Sequence, residues 1–215
     1  LKCLSVHIGS QILDHKPYEK MLKSIIKILK KINYKFEFID LGGGMGISYN
    51  DQEKKLDYKK YCIAINKFLN EYNSKIIFEP GRSIIGNTGT LISKIIYIKK
   101  SEKKNFIILD AAMNDLMRPA LYGAVHKIMP ALKKTKILKK NHEFVGPICE
   151  STDSFLNLKK FQDLKENEII VICDVGAYGM SLGSNYNLRP KPIELMIKGS
   201  KIKIIKKRQK YLDFI

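Results

Sequence analysis

Hydrophobic residues follow two different patterns along the chain, and the pattern changes near residue 82. From residue 1 to residue 79, short apolar runs alternate with stretches in which apolar residues recur at helical spacing. The runs predict strands at residues 2–8, 36–41 and 75–78, with an amphipathic helix in each interval. An alternation of strands and helices is typical of a parallel α/β sheet.

Beyond residue 82 the apolar runs are rich in Ile and Val, and no long amphipathic helix separates most of them. These runs occupy residues 90–98, 106–109, 168–173 and 193–205. Helices are expected to be short and confined to residues 114–122 and 178–183. We therefore predict a mainly β second part.

Composition and charge narrow the class of protein. The 215 residues include 39 Lys and Arg against 21 Asp and Glu, a net charge of +18. A length of 215 residues is too short for a complete eight-fold barrel of about 250 residues with a further domain. The cations are almost all Lys and are spread along the chain, whereas a nucleic-acid binder needs a concentrated patch with aromatic platforms. We expect no nucleic-acid partner.

Cysteine spacing and hydropathy predict a cytoplasmic location. The four cysteines, Cys3, Cys62, Cys149 and Cys173, are far apart, which favours neither a zinc site nor a disulfide framework. The longest charge-free run, residues 175–188, is rich in Gly, Ser and Asn and is unsuited to a bilayer, and no secretory signal opens the chain. We expect no membrane association. The chain starts without Met in a predicted strand, so we expect a fragment.

Unusual loops follow all three strands of the first part: His7–Gln11, Gly42–Gly44 and Glu79–Arg82. Parallel α/β folds bind ligands at the carboxyl ends of their strands, so these loops are expected on one face. A glycine triplet there lets backbone N–H groups surround a phosphate, and the Arg82 guanidinium can donate two further charged hydrogen bonds to it. Glu79 can hold a cationic ring nitrogen or pair with a nearby Lys. His7 is compatible with a structural role as well as a catalytic one.

The second part adds three clusters, at residues 114–123, 146–151 and 176–179. Arg118 and Tyr122 are four residues apart, so on one helical turn their side chains can bind one carboxylate together. The alternative for Arg118 is an ion pair on the protein surface.

Cys149 next to Glu150 places a proton donor beside an acceptor for an ammonium group, although a small buried thiol fits the same spacing.

The histidines His15, His126 and His142 lack metal-ligand spacing. We interpret them as structural and predict no metal site.

Six segments together resemble one enzyme family. In chain order they are HIGSQ, LGGGMGISY, EPGRSIIGN, DAAMNDLMRPALYGAVH, VGPICESTD and DVGAYGMSLGSNYNLRP. They resemble the diaminopimelate decarboxylases, pyridoxal-phosphate enzymes of the alanine-racemase-like class. The resemblance implies a partial (β/α)₈ barrel, its last strands only, at residues 1–85, followed by a mainly β domain at residues 86–215. It also implies a homodimer with a shared active site.

The implied activity is decarboxylation of meso-2,6-diaminopimelate to L-lysine and CO₂, the last step of lysine biosynthesis, with pyridoxal 5′-phosphate as cofactor. The resemblance implies that His7 stacks on the cofactor ring and that Glu79 keeps the pyridine nitrogen protonated. The implied cofactor-binding residues are His7, Ser10, Gly43, Gly44, Glu79, Gly81, Arg82 and Tyr178. The implied substrate-binding residues are Arg82, Arg118, Tyr122, Glu150 and Tyr178. Cys149 from the partner subunit would be the acid that reprotonates the α-carbon, which makes Cys149, His7 and Glu79 the catalytic set.

The chain departs from the family in one respect. Family members carry the Schiff-base lysine early, on the first barrel strand, and no lysine of this chain corresponds to it. Two alternatives therefore stay open. One is a sister decarboxylase acting on ornithine, arginine or carboxynorspermidine, substrates that mostly lack the distal amino-acid centre that Arg118 and Tyr122 would hold. The other is a non-catalytic homologue.

We predict that residues 1–215 expressed alone are inactive and fold poorly. Three strands leave two open sheet edges and a bare apolar face, which favours aggregation, and the Schiff-base lysine is missing. The measurement is the visible absorbance of bound cofactor together with lysine formation from meso-diaminopimelate, with the full-length parent as the active control. Robust turnover by the isolated polypeptide would refute the fragment interpretation.

Overall fold

The computed structural model describes residues 1–50 and 53–214, which divide into two compact units, the first ending at residue 88 and the second starting at residue 89. Each unit has its own hydrophobic core.

The first unit is a three-stranded parallel sheet with two long helices. Its elements are β1 (Cys3–Ser5), α1 (Lys16–Ile32), β2 (Phe38–Asp40), α2 (Tyr58–Glu71), β3 (Lys75–Ile77), α3 (Arg82–Ile85) and a 3₁₀ turn (Gly86–Thr88). The strands lie in the order β1-β2-β3, so each strand–helix–strand unit places consecutive strands side by side. The predicted alternation of strands and helices is confirmed.

Helical spacing of apolar side chains explains how α1 and α2 pack. Each helix buries one stripe of residues at intervals of three or four. The buried side chains are Tyr18, Met21, Leu22, Ile25 and Leu29 on α1, and Tyr61, Ile65 and Phe68 on α2. Pro17 suits the first turn of α1, and the Asp57 side chain caps α2 by accepting the Lys60 N–H at 3.1 Å. Both helices join a core with Ile39 of the central strand.

The second unit is mainly β. Its strands are β4 (Leu91–Lys100), β5 (Lys104–Leu109), β6 (Ile128–Pro130), β7 (Ile137–Leu138), β8 (Asn141–Val145), β9 (Ser154–Leu158), β10 (Phe161–Gln162), β11 (Ile169–Ile172), β12 (Glu194–Lys198) and β13 (Lys201–Lys206). Six strands form one sheet in the order β6-β11-β4-β5-β8-β9, in which only β5 and β8 run parallel. Short helical pieces complete it: α4 (Arg118–Tyr122) and 3₁₀ turns at Met180–Leu182, Tyr186–Leu188 and Tyr211–Phe214.

An α/β part followed by a mainly β part is therefore the observed fold class, as predicted. Several element bounds of the prediction are wrong. The strand predicted at residues 2–8 covers only Cys3–Ser5, because the chain leaves the sheet to form the loop that follows. The apolar run at residues 193–205 is two strands, β12 and β13, because Gly199 with φ +60° turns the chain back. Helix α4 starts at Arg118 rather than at residue 114.

Within residues 1–50 and 53–214, none of the helices combines the length and hydrophobicity needed to span a bilayer.

Candidate active site

The loops that follow the three parallel strands lie side by side in the first unit. The Glu79 N–H donates to the Gly42 carbonyl oxygen at 2.8 Å, which joins the third loop to the second. The Ile12 N–H donates to the Gly44 carbonyl oxygen at 2.9 Å, which joins the first loop to the second. The structure thus brings together the three loops that the sequence placed on one face.

Glycine is required where the loops approach most closely. A Cβ atom on Gly43 would lie 2.3 Å from the Glu79 carbonyl oxygen, and one on Gly44 would lie 2.4 Å from the Gly9 carbonyl oxygen. Gly44 also has φ +88°, which L side chains rarely adopt. The middle loop can therefore lie between its neighbours only with bare backbone at these positions.

Arg82 begins the short helix α3, directly after the turn at Gly81. Its Nη1 donates to the Tyr49 hydroxyl oxygen at 2.6 Å, and its Nη2 donates to the Ser10 hydroxyl oxygen at 3.2 Å. The guanidinium carbon lies 5.7 Å from the centre of the Tyr49 ring. Two of the predicted anion-binding residues, Ser10 and Arg82, are thus in direct contact.

His7 and Glu79 are both exposed at the ends of their strands. The Nδ1 atom of His7 accepts the Gly43 N–H at 3.4 Å, which ties the imidazole to the glycine turn. The backbone of Glu79 is fixed by its bond to Gly42, while its carboxylate lies at the surface. Both side chains are therefore accessible to a ligand beside the glycine turn.

Arg118 and Tyr122 differ strongly in burial although they share the helix α4. Arg118 is only 5% exposed and its Nη1 lies 2.8 Å from His126 Nε2, whereas Tyr122 is 68% exposed. The alternative of a surface ion pair for Arg118 is wrong, because the guanidinium is buried against an imidazole.

Cys149 and Glu150 lie in the turn between β8 and β9, with the thiol exposed and the carboxylate partly buried. The alternative of a buried thiol for Cys149 is therefore wrong. Asp153 holds this turn: its Oδ2 accepts the Ile148 N–H at 2.9 Å, and its Oδ1 accepts the Met113 N–H at 2.7 Å. The Asp153 carboxylate consequently ties the Cys149 turn to the segment that leads to α4.

Tyr178 lies in the turn after β11, with φ +59° and a side chain that is 45% exposed. The helix predicted over residues 178–183 is reduced to a 3₁₀ turn at Met180–Leu182. A left-handed backbone at a non-glycine residue is uncommon.

Sequence reasoning missed the residues that support the site from behind. Tyr18, fully buried on α1, donates its hydroxyl to the Gly43 carbonyl oxygen at 3.3 Å, and burial raises its pKa so that the hydroxyl stays protonated. Asp40, buried at the end of β2, accepts the Gly42 N–H at 2.8 Å. Asp40 lies two residues before Gly42, and that proximity was the available signal. Tyr49 and Asp153 end two of the quoted segments, but their partners, like that of Tyr18, are distant in the sequence and were not predictable from it.

The residues at the glycine turn fit a phosphate group. Gly43 and Gly44 present bare backbone packed against the carbonyl oxygens of Glu79 and Gly9, and beside this turn the Arg82 guanidinium contacts the Ser10 hydroxyl, so a cation and a hydroxyl are available to a phosphate. Across the described residues no group of three His, Cys, Asp or Glu side chains is arranged to hold a metal ion.

Comparison with known proteins identifies the family. Residues 12–176 match the family model of the pyridoxal-dependent decarboxylase, C-terminal sheet domain. The chain is 38% identical to the diaminopimelate decarboxylase of Aquifex aeolicus over 213 residues, which is 97% of this chain and 50% of that protein.

Solved structures of diaminopimelate decarboxylases are also similar to this chain. The diaminopimelate decarboxylase of Helicobacter pylori complexed with L-lysine superposes with a TM-score of 0.88 at 39% identity, over 98% of this chain and 52% of that one. The enzyme from M. jannaschii superposes with a TM-score of 0.90 at 32% identity, over 97% and 50%. The chain spans about half the length of the curated relatives it matches.

We predict that Gly43→Ala weakens binding of pyridoxal 5′-phosphate by at least about tenfold, or about 1.4 kcal/mol, because the new methyl group pushes Glu79 and the glycine turn apart. The measurement is a titration of the full-length apoprotein that carries this chain. Gly199→Ala is the control: it also places a Cβ at a positive φ, +60°, but that strain falls on the turn between β12 and β13 in the second unit, where the Cβ meets no atom within 4 Å. Equal affinities for the two variants would contradict the phosphate assignment.

We predict that Asp153→Asn lowers the free energy of unfolding by about 1–3 kcal/mol, because an amide leaves one of two buried backbone N–H groups without an acceptor. Burial raises the pKa of the Asp153 carboxyl, and the two N–H donors oppose that shift. Denaturant unfolding of the full-length protein measures the effect. Asp163→Asn, which removes a surface pair with Lys136, is expected to cost less; an equal or larger loss would show that Asp153 does not clamp the two segments.

Proposed function

The chain belongs to the pyridoxal-dependent decarboxylase family, and on that premise we propose that the protein carrying it converts meso-2,6-diaminopimelate to L-lysine and CO₂ with pyridoxal 5′-phosphate. The observation that carries the proposal is the contact between Arg82 and Ser10 beside a turn of bare glycine backbone. Relatives named diaminopimelate decarboxylase support the choice of substrate.

In this proposal the cofactor phosphate is held by the glycine turn and by side chains around it. Arg82 and Ser10 contribute charge and a hydroxyl donor, and the backbone at Gly43, Gly44 and Gly81 lines the remainder of the phosphate site. The Tyr178 hydroxyl completes the set. His7, fixed to the glycine turn through Nδ1, offers its ring face for stacking.

Bound pyridoxal phosphate supplies an electron sink for the pair of electrons that departing CO₂ leaves on the α-carbon. Glu79 supports that chemistry by accepting a hydrogen bond from the pyridinium N–H, which keeps the proton on the ring nitrogen. The Schiff-base lysine is outside this chain and is supplied by the remainder of the protein.

The substrate carries a second amino-acid centre, and charge complementarity assigns its two groups. The distal carboxylate is bound by Arg82, Arg118 and Tyr122, because guanidinium and phenol donors match its oxygens. The distal ammonium is bound by Glu150. Ornithine and arginine lack this distal carboxylate and would make no use of a buried guanidinium at residue 118.

Cys149 is the proposed acid that returns a proton from Sγ to the α-carbon once CO₂ has left. Its thiol is exposed and projects from the turn between β8 and β9. The proposal includes a homodimer in which Cys149 and Glu150 serve the active site of the partner subunit.

The proposal assigns residues 1–85 to the barrel and residues 86–215 to the mainly β domain. It also assigns a cytoplasmic, reducing location, which the four free thiols in the described residues support.

We predict that Arg118→Leu lowers kcat/KM for meso-diaminopimelate between about 10-fold and 100-fold, since hydrogen bonds to charged groups contribute about 1.5–3 kcal/mol. The measurement is lysine formation by the full-length protein, with its affinity for pyridoxal 5′-phosphate unchanged. Arg208→Leu, at an exposed arginine after β13, is the matched control and should leave the rate unchanged. An unaltered rate for Arg118→Leu would contradict the substrate assignment, and absence of turnover in the unmodified protein would favour a non-catalytic homologue.

A further inference from the structure

A buried histidine contacts the arginine that the proposed function gives to the distal carboxylate. His126 is 1% exposed and Arg118 is 5% exposed, and Arg118 Nη1 lies 2.8 Å from His126 Nε2. The other ring nitrogen, His126 Nδ1, lies 2.9 Å from the Cys173 carbonyl oxygen. The imidazole therefore connects the guanidinium to the end of β11.

Donor and acceptor chemistry fixes the state of this imidazole. A guanidinium can only donate and a carbonyl oxygen can only accept. His126 Nε2 must therefore hold a lone pair for Arg118, and Nδ1 must carry the hydrogen that is donated to Cys173. The geometry selects one neutral tautomer, and the positive charge stays on the arginine.

The backbone explains why residues 118 and 126 meet. Gly123, with φ +61°, ends α4 after five residues, and its N–H donates to the Pro119 carbonyl oxygen at 3.0 Å. The chain then reverses, which returns His126 to the start of the helix.

The carbonyl that accepts from His126 is held by the sheet. Ile128 pairs with Ile172 in the antiparallel register of β6 and β11, and the Cys173 N–H donates to the Lys127 carbonyl oxygen at 2.9 Å. A helix of five residues is a weak support for a long side chain, because short helices are marginal by themselves. The bond through His126 connects Arg118 to the six-stranded sheet instead.

We propose that His126, as the neutral tautomer with hydrogen on Nδ1, is the positioning residue that orients the Arg118 guanidinium for the distal carboxylate of the substrate. The proposal rests on the proposed function, in which Arg118 binds that carboxylate. A long side chain held in one geometry loses less rotational freedom on binding, so His126 acts on substrate affinity. It acts through Arg118 and touches neither the α-carbon nor the cofactor.

Two small ligands isolate the carboxylate contact. Decarboxylation removes the α-carboxylate, so the one carboxylate of the product L-lysine is the distal group of the substrate. Cadaverine has the same chain and both amines but no carboxylate. The ratio of the dissociation constants of cadaverine and L-lysine therefore reports on carboxylate recognition alone.

The test compares His126→Gln with His126→Asn in the full-length holoenzyme. Gln can place an oxygen acceptor near the position of Nε2 and so retain the contact with Arg118, whereas Asn can retain the donor to Cys173 and loses that acceptor. We expect His126→Asn to weaken L-lysine binding and raise the KM of meso-diaminopimelate about tenfold or more, with kcat within threefold and cadaverine binding unchanged. His126→Gln should lie closer to the unmodified protein in all four measurements.

His142→Asn is the matched control, because His142 is also 1% exposed and bonds a carbonyl, that of Lys140, through Nδ1 at 2.7 Å. It should lower stability without changing the cadaverine to L-lysine ratio. The proposal is overturned if His126→Asn leaves that ratio unchanged, or if it stays as close to the unmodified protein as His126→Gln. If instead the proposed function is wrong, the unmodified protein itself would bind L-lysine and cadaverine with equal dissociation constants.

Discussion

The close approach of Gly43 to the Glu79 carbonyl oxygen is the constraint on which the first unit depends. A side chain at residue 43 would come within 2.3 Å of that oxygen, so the middle loop lies between its neighbours only because it is bare backbone. The approach lets the Gly42 carbonyl bind the Glu79 N–H and lets the Tyr18 hydroxyl bind the Gly43 carbonyl from the core side. The Arg82 guanidinium and the Ser10 hydroxyl then come into contact beside the turn.

In the second unit, buried and partly buried polar groups hold the loops to the sheet in a comparable way. Arg189 donates from Nε to the Asn114 side-chain oxygen at 3.0 Å and from Nη2 to the Asp110 carbonyl oxygen at 2.5 Å. Burial raises the pKa of the nearby Asp115 carboxyl, which accepts the Ala112 N–H at 2.9 Å. Together with Asp153, these contacts fix the segment that leads into Arg118. Partners that satisfy buried polar groups are expected to make such loops rigid.

Periodic segments were predictable from the sequence, and contacts between distant residues were not. The helix α1 has a complete apolar stripe and Pro17 at its start, and the three loops follow recognisable parallel strands, so local pattern was sufficient for both. Strands β6 to β10 are two to five residues long, and packing rather than pattern decides such segments. The isolated sequence therefore predicted an interrupted β part without its strand order.

The side chains that position the candidate site illustrate the same limit. His126 is the last residue of the segment DAAMNDLMRPALYGAVH, but its interpretation as merely structural came from the lack of metal-ligand spacing; its contact with Arg118 depends on the reversal at Gly123. Tyr49 reaches Arg82 across 33 positions and Asp153 reaches Met113 across 40. Such partners emerge only when the loops are folded, whereas Arg82 could be predicted from its place after a strand and Ser10 from the family resemblance.

The most direct test of the central claim compares the affinities of the full-length apoprotein for pyridoxal 5′-phosphate and for pyridoxal, which lacks the phosphate, in the unmodified protein and in an Arg82→Met variant. If the converging loops form a phosphate site, the unmodified protein binds the phosphorylated compound far more tightly, and Arg82→Met reduces that preference while pyridoxal binding stays the same. Equal affinity for the two compounds, or a preference that survives Arg82→Met intact, would contradict the account.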